Sequence, residues 1–267
     1  MADSRWRLIL SPPLDGATNM ALDHALARAA GRGDAPPTLR FYRWQPACLS
    51  LGYFQRLERD ADQAACAAEG VAIVRRPTGG RAILHDREVT YSLAAPAGTP
   101  GLGGRILDSY RTISAALLAG LRALGLAAEW AAQAASGADH SAACFDTPGD
   151  FEIVAGGRKL LGSAQTRTGG AVLQHGTLLL SADAARLHRL LRLPPDLSSD
   201  ALAARMVALD ELLPAPSWDD AVAALIAGFE QSWGLAFAPG EPTAAEWALA
   251  AELREQRYAN PAWTARR

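Results

Sequence analysis

The sequence predicts an α+β protein with a mixed β-sheet core flanked by helices, and three observations predict it. Short apolar runs bounded by Gly and Pro alternate with helix-period stretches through the first half. Residues 151–180 form a dense β region hinged on two glycine pairs. Residues 184–257 are almost wholly helical in pattern. In order along the chain, residues 6–10 read as a first strand, closed by Pro12-Pro13, and Asp15 or Thr18 caps a helix running to about Ala30. Residues 39–44 and 48–51 read as strands on either side of a Gln45-Pro46 turn. A helix over 57–69 ends at Gly70, and 71–74 is a short apolar strand. A strand over 88–94 and a helix over 106–124, stopped by Gly125, come next. Strands over 151–154, 159–166 and 171–180 are joined by Gly156-Gly157 and Gly169-Gly170, pairs that favour tight hairpin turns. Helices are expected at 184–191, 202–212, 219–233 and 244–257. The proline-rich stretches 194–195 and 214–216 are too brief for linkers. The reading is therefore one domain over 1–267 with a mostly helical part from about 183.

Of 267 residues, 49% are hydrophobic and 20% charged, as in ordinary soluble globular proteins. A net charge of −2 argues against a nucleic-acid binder, so any acidic partner must meet a local basic patch. No apolar run suits a signal peptide or a membrane span, which makes the cytoplasm the expected compartment and a membrane partner unexpected. The three cysteines, at 48, 66 and 144, suit neither a disulfide framework nor a zinc site. Cys48 and Cys66 read as small buried hydrophobes. Cys144 lies in a small-residue, polar segment and reads as a loop residue.

Lys159 is the only lysine among 26 Lys and Arg residues. An arginine is always charged, whereas a lysine can exchange its proton, so a lone lysine in Gly157-Arg158-Lys159-Leu160-Leu161-Gly162-Ser163-Ala164-Gln165 points to chemistry that arginine cannot do. Small residues in that strand leave room for a ligand. A second cluster, Arg75-Arg76-Pro77-Thr78-Gly79-Gly80-Arg81 followed by His85, packs arginines, a glycine pair and a histidine into eleven residues. Such a loop can approach a ligand closely and hold phosphate or carboxylate. His175, in His175-Gly176-Thr177, reads equally as a ligand or as a structural strand histidine. Cys144 precedes Lys159 by fifteen residues, with one hairpin strand between, so thiol and ammonium can meet. An ammonium beside a thiol favours the nucleophilic thiolate.

Together these motifs resemble the lipoate-protein ligase A, octanoyltransferase and biotin-ligase superfamily. The pattern is Arg-Arg-x-Thr-Gly-Gly with a following histidine, then Gly-Arg-Lys-x-x-Gly-Ser-Ala, then His-Gly-Thr. The likeness spans at least residues 40–180, and Arg257-Tyr258-Ala259-Asn260-Pro261-Ala262-Trp263 is similar to the family's C-terminal tail. It implies a catalytic domain of the biotin/lipoate protein ligase type. Arg81 stands where ATP-using ligases usually have a third glycine, and Cys144-Phe145 resembles the cysteine-dependent octanoyltransferases. That branch implies transfer of octanoate from acyl carrier protein to a lysine of a lipoyl-accepting protein, either a glycine-cleavage H protein or an E2 lipoyl domain, without ATP, cofactor or metal. Cys144 would carry the acyl group, and Lys159 would stabilise its thiolate and accept the proton of the incoming amine. Backbone N–H groups near Gly162-Ser163-Ala164 would hold the oxyanion, and Gly79, Gly80 and His85 would line the acyl pocket. Arg75, Arg76, Arg81 and Arg87 are candidates for meeting the acidic carrier or its phosphopantetheine. Thr78, Gln165, His175, Gly176 and Thr177 complete the expected substrate-binding set. Two other readings stay open: an ATP-dependent lipoate or octanoate ligase that would not need Cys144, and a non-catalytic acyl-binding partner protein.

Overall fold

A computed structural model describes residues 6–131 and 152–266 of the chain. Two sheets form among the described residues. In chain order the strands are β1 (Trp6–Leu10), β2 (Thr38–Tyr42), β3 (Cys48–Leu51), β4 (Ala72–Arg75), β5 (Ile83–His85), β6 (Glu88–Pro96), β7 (Ala128–Trp130), β8 (Ile153–Ala155), β9 (Arg158–Thr168), β10 (Ala171–Leu179) and β11 (Phe237–Pro239). Eight make one mixed sheet in the order β11-β1-β2-β6-β10-β9-β8-β7, and β4-β3-β5 make the second. β1 runs parallel to both β2 and β11, and the β2 to β7 side is antiparallel. The expected α+β architecture is therefore present, and both glycine pairs make their hairpins. Gly156, Gly157, Gly169 and Gly170 all have positive φ, between 55° and 78°, which glycine adopts without a Cβ penalty.

Helices cover both faces. α1 (Gly16–Arg32) is capped by Asp15, whose carboxylate accepts from the Thr18 N–H, and ends at Gly33 in the left-handed region. It buries Met20, Leu22, Ala25 and Leu26 in a core shared with β6, β10 and the helix over 244–253. On the other face α4 (Ile106–Ala123) packs on α8 (Trp218–Trp233) at glycine contacts. A Cβ at Gly120 would meet the Ala224 carbonyl at 2.5 Å, and one at Gly228 the Ala116 carbonyl at 2.4 Å. α9 (Ala244–Leu253) crosses α1 and passes into a π-helical turn, Arg254–Tyr258.

Two expected helices are each broken, and the causes are long-range. In place of one helix over 57–69 there are α2 (Leu57–Asp60) and α3 (Gln63–Ala68). Between them the Asp62 N–H is drawn out to the Leu190 carbonyl at the end of α5 (Ala184–Leu190), and Asp62 then caps α3. In place of one helix over 202–212 there are α6 (Ser199–Ala203) and α7 (Leu209–Leu212). The segment between them adds an edge to β9: the Lys159 N–H donates to the Arg205 carbonyl, and the Val207 N–H donates to the Lys159 carbonyl. The three-residue strands β5, β7 and β11 were not expected. A last helix, α10 (Pro261–Thr264), seats the tail against β4. No helix among the described residues is long and apolar enough to cross a membrane.

One histidine of α1 gives the fold a pH dependence. His24 is buried, its Nδ1 bonded to the Tyr258 hydroxyl and its Nε2 without a partner. Burial, helped by the charges of Arg28 and Arg257, lowers its pKa to about 3. The unfolded chain thus binds a proton that the folded chain refuses, and stability falls as pH drops from 6.5 toward 3, by about 1.4 kcal/mol per pH unit for one proton. Burial lowers the His175 pKa as well, with the same sign. Urea unfolding between pH 4.5 and 6 should show a His24→Gln slope shallower than wild type by about one proton. An unchanged slope would acquit His24.

Candidate active site

A cavity of about 160 Å³ opens between the two sheets. Its floor is the β9–β10 pair, where register sets Ala164 against His175, Ser163 against Gly176 and Gly162 against Thr177. Gly176 lets the strands and Tyr91 pack closely: a Cβ there would meet the Ser163 Oγ at 2.5 Å and the Gly162 carbonyl and the Tyr91 ring at 2.6 Å. The roof is Arg76, Gly80, Arg81, Ile83 and His85, and Trp44, Tyr42 and Met20 line the side toward α1. Gly80 has a φ of +85°, and a Cβ on it would meet the Arg76 guanidinium at 2.8 Å.

Lys159 lies on this cavity at 1% exposure. Its Nζ donates to the Glu152 Oε1 at 2.5 Å, a charge-assisted pair with Glu152 also on the cavity wall. Glu152 was missed in the sequence, although the hairpin at Gly156-Gly157 folds it back toward Lys159. The Tyr110 hydroxyl donates to the Ser163 carbonyl at 3.0 Å. In a strand a residue's N–H and C=O point to the same side. The Ser163 peptide therefore faces away from β10, whereas those of Gly162 and Ala164 face the β10 ladder.

His85 is tightly held. It stacks on Trp44 with ring centroids 3.9 Å apart. Its Nδ1 donates to Glu88 at 2.6 Å, and its Nε2 accepts from the Ser50 hydroxyl at 2.8 Å, which in turn accepts from Arg76 at 3.1 Å. Thr90 also donates to Glu88. His175 lines the cavity and also anchors polar structure. Its Nε2 pairs with the Thr78 hydroxyl at 2.6 Å, and its Nδ1 faces Asp23 at 3.4 Å. Asp23 also takes Arg40, Tyr42 and Ser92 as donors. Burial alone would raise its carboxyl, but the His175 hydrogen bond and the Arg40 charge outweigh that and hold it below the usual carboxylate range.

The structure thus brings Arg76, Gly80, Arg81, His85, Lys159, Gly162, Ser163, Ala164, His175, Gly176 and Thr177 around one cavity. Thr78 stands behind it on His175. Gly79 and Gln165 face an adjoining groove. Arg75 is a correction. It is fully buried and turned away from the cavity, with NH1 on the carbonyls of Gly52, Tyr53 and Gln55 and its other nitrogens on those of Trp263, Thr264 and Arg266. Arg76, 2% exposed, spends hydrogen bonds on the carbonyls of Ser50, Gly79 and Arg81. Neither can reach a protein docked outside, because both guanidiniums are inside the fold. Arg87 is exposed and lies by a different depression, with Asp86 and Asp183. Cys144 falls outside the described residues. Cys48 is buried, and burial pushes its thiol up out of the nucleophilic range. Among the described residues no group of three or more His, Cys, Asp or Glu side chains could hold a metal ion.

A family model described as the lipoyl protein ligase A/B catalytic domain matches residues 15–230. Octanoyltransferase LipM of Kyrpidia tusciae is 45% identical, over 98% of this chain and 99% of that protein. The crystal structure of lipoate-protein ligase A bound with ATP superposes with a TM-score of 0.84 at 27% identity, covering 98% of both chains. A structure from a bi-partite lipoate protein ligase system of Thermoplasma acidophilum, described with its E2 lipoyl domain, superposes at 0.82 with 26% identity, again over 98% of both chains.

Proposed function

The chain belongs to the lipoyl protein ligase A/B catalytic-domain family, and from that premise we propose that its cavity performs octanoyl transfer for protein lipoylation through a cysteine thioester. The observation that carries this reading is the one lysine of the chain, buried on the cavity wall and paired with Glu152. The donor is octanoyl-acyl carrier protein. The acceptor is a lysine of a lipoyl-accepting protein, a glycine-cleavage H protein or an E2 lipoyl domain, and the cytoplasm is the setting. The whole of 1–267 acts as one catalytic domain.

In the first half-reaction the Cys144 thiolate attacks the donor thioester carbon. The new C–S bond forms, the tetrahedral intermediate collapses, and the carrier thiol leaves with a proton. In the second half-reaction the target amine attacks the Cys144 thioester, an amide bond forms, and the cysteine thiolate is released. The Lys159 ammonium stabilises that thiolate. The Lys159–Glu152 pair then supplies a place for the proton that the amine must shed. The Ser163 N–H is the donor for the oxyanion. Gly80, His85 and Gly176 shape the acyl pocket. Amide formation from a thioester runs downhill, so no ATP is consumed.

A second reading, ATP-dependent ligation, is favoured by the likeness to the ATP-bound ligase. Intact-protein mass spectrometry separates the two. Mixing with octanoyl-acyl carrier protein, without ATP, should add one octanoyl mass that hydroxylamine removes and that Cys144→Ala lacks. Transfer that requires free octanoate and ATP, with no adduct, would replace the transferase reading by the ligase.

A further inference from the structure

Arg75 and Arg76 are committed inside the fold, and the described surface carries a further cluster of cations. Arg28, Arg257 and Arg266 are partly exposed, and none has a carboxylate partner among the described residues. The Arg257 guanidinium stacks 3.7 Å over the Trp263 ring, and that of Arg266 lies 4.6 Å over the same ring and 4.4 Å over Tyr53. Two guanidiniums thus share one indole. Burial lowers the Arg257 pKa, and the charges of Arg266 and Arg28 lower it further. The Arg257 Nε is buried without a hydrogen-bond partner. In a chain of net charge −2, cations gathered against their own repulsion mark a place for an anion.

Of the three, Arg257 lines a groove together with Tyr53, Phe54, Gly79, Gln165 and Arg167. Phe54 is 81% exposed there. The groove and the acyl cavity share two stretches of wall. Gly79 lines the groove and Gly80 the cavity, and Gln165 lines the groove and Ala164 the cavity. The two depressions are therefore neighbours, parted by Gly79-Gly80 and Ala164-Gln165.

Building on the octanoyl-transfer reading, we propose that this groove is the track for the phosphopantetheine arm of the acyl donor, with the arm's phosphodiester among Arg28, Arg257 and Arg266 and its thioester delivered past Gly79-Gly80 and Ala164-Gln165. The uncharged, amide-bearing arm suits the polar lining of Gln165, Thr166 and Thr168, and Phe54 covers it from outside.

The test compares two donors that share the thioester and differ in the phosphate: octanoyl-acyl carrier protein and octanoyl-N-acetylcysteamine. Acyl-enzyme formation is followed by mass spectrometry in single turnovers, for wild type and for Arg28→Gln, Arg257→Gln and their double variant. With the carrier donor, the double variant should lose at least about tenfold in kcat/KM, mostly through KM, and the gap should narrow at high salt. The truncated donor should show little of this loss, which also guards against a misfolded variant. Equal losses on both donors overturn the proposal. So does a loss seen only in transfer to the acceptor, which would make the groove an acceptor-docking surface. A wild-type enzyme that forms an adduct with neither donor takes down the octanoyl-transfer reading and the proposal with it.

Discussion

Lys159→Arg will cut overall transfer by about 10²- to 10⁴-fold, the span that a positioned proton-transfer group supplies. The substitution keeps a positive charge and so spares part of the thiolate stabilisation. It replaces a compact ammonium by a planar fork that cannot give up its proton, in a site only 1% exposed and 2.5 Å from a carboxylate. The two half-reactions separate these effects. If the proton is what Lys159 manages, Lys159→Arg will still acquire an octanoyl group from the carrier but will deliver it slowly to the acceptor amine. Lys159→Met should lose both steps. Glu152→Gln should track Lys159→Arg, since the amide keeps the hydrogen bond but cannot hold the proton. A Lys159→Arg enzyme with wild-type rates in both steps would remove Lys159 from the chemistry.

Arg40→Met will cost about 3–5 kcal/mol of stability, because it strands a buried charge. The Arg40 and Asp23 side chains have no exposed surface, and their nitrogen and oxygen are 2.7 Å apart. Arg40 also donates to Ser11 and to the Asn19 side chain, so its loss orphans acceptors on β1's end and α1 together. Asp23 would keep Tyr42, Ser92 and His175 as donors but no full charge opposite it. Urea denaturation with a two-state fit reads the loss, and pairing Arg40→Met with Asp23→Asn should recover part of it, since the two sites share one network. A loss under about 1 kcal/mol would mean that the carboxylate is protonated in the fold or that water replaces the guanidinium. The same Asp23 faces the Nδ1 of His175 on the cavity wall.

Much of this site was legible because its chemistry sits on contiguous motifs whose strand placement follows from glycine. Gly156-Gly157 and Gly169-Gly170 fix two hairpins, and from them the meeting of Ser163 with Gly176 follows by counting. The same counting reaches Glu152. Side-chain alternation on a strand also warns that Arg75 and Arg76 cannot face the same way. What the sequence could not tell is which of the two turns to the cavity, because the acceptors that hold Arg75 away from it include carbonyls of residues 263–266, nearly two hundred positions away. The broken helices have the same origin. Periodicity over 57–69 and 202–212 is helical, but Leu190 in one case and Lys159 in the other take backbone partners from the middle.

The Arg75 guanidinium has a mechanical consequence. One arm of it grips loop 52–55, which presents Tyr53 and Phe54, and the other grips the tail that presents Trp263 and Arg266. Tyr53 and Trp263 meet edge to face with centroids 5.8 Å apart and Arg266 lies over both rings, so a single planar group fixes how the loop and the tail seat on each other. Anything that loosens the tail also takes away the loop's anchor, so the two segments hold or yield together.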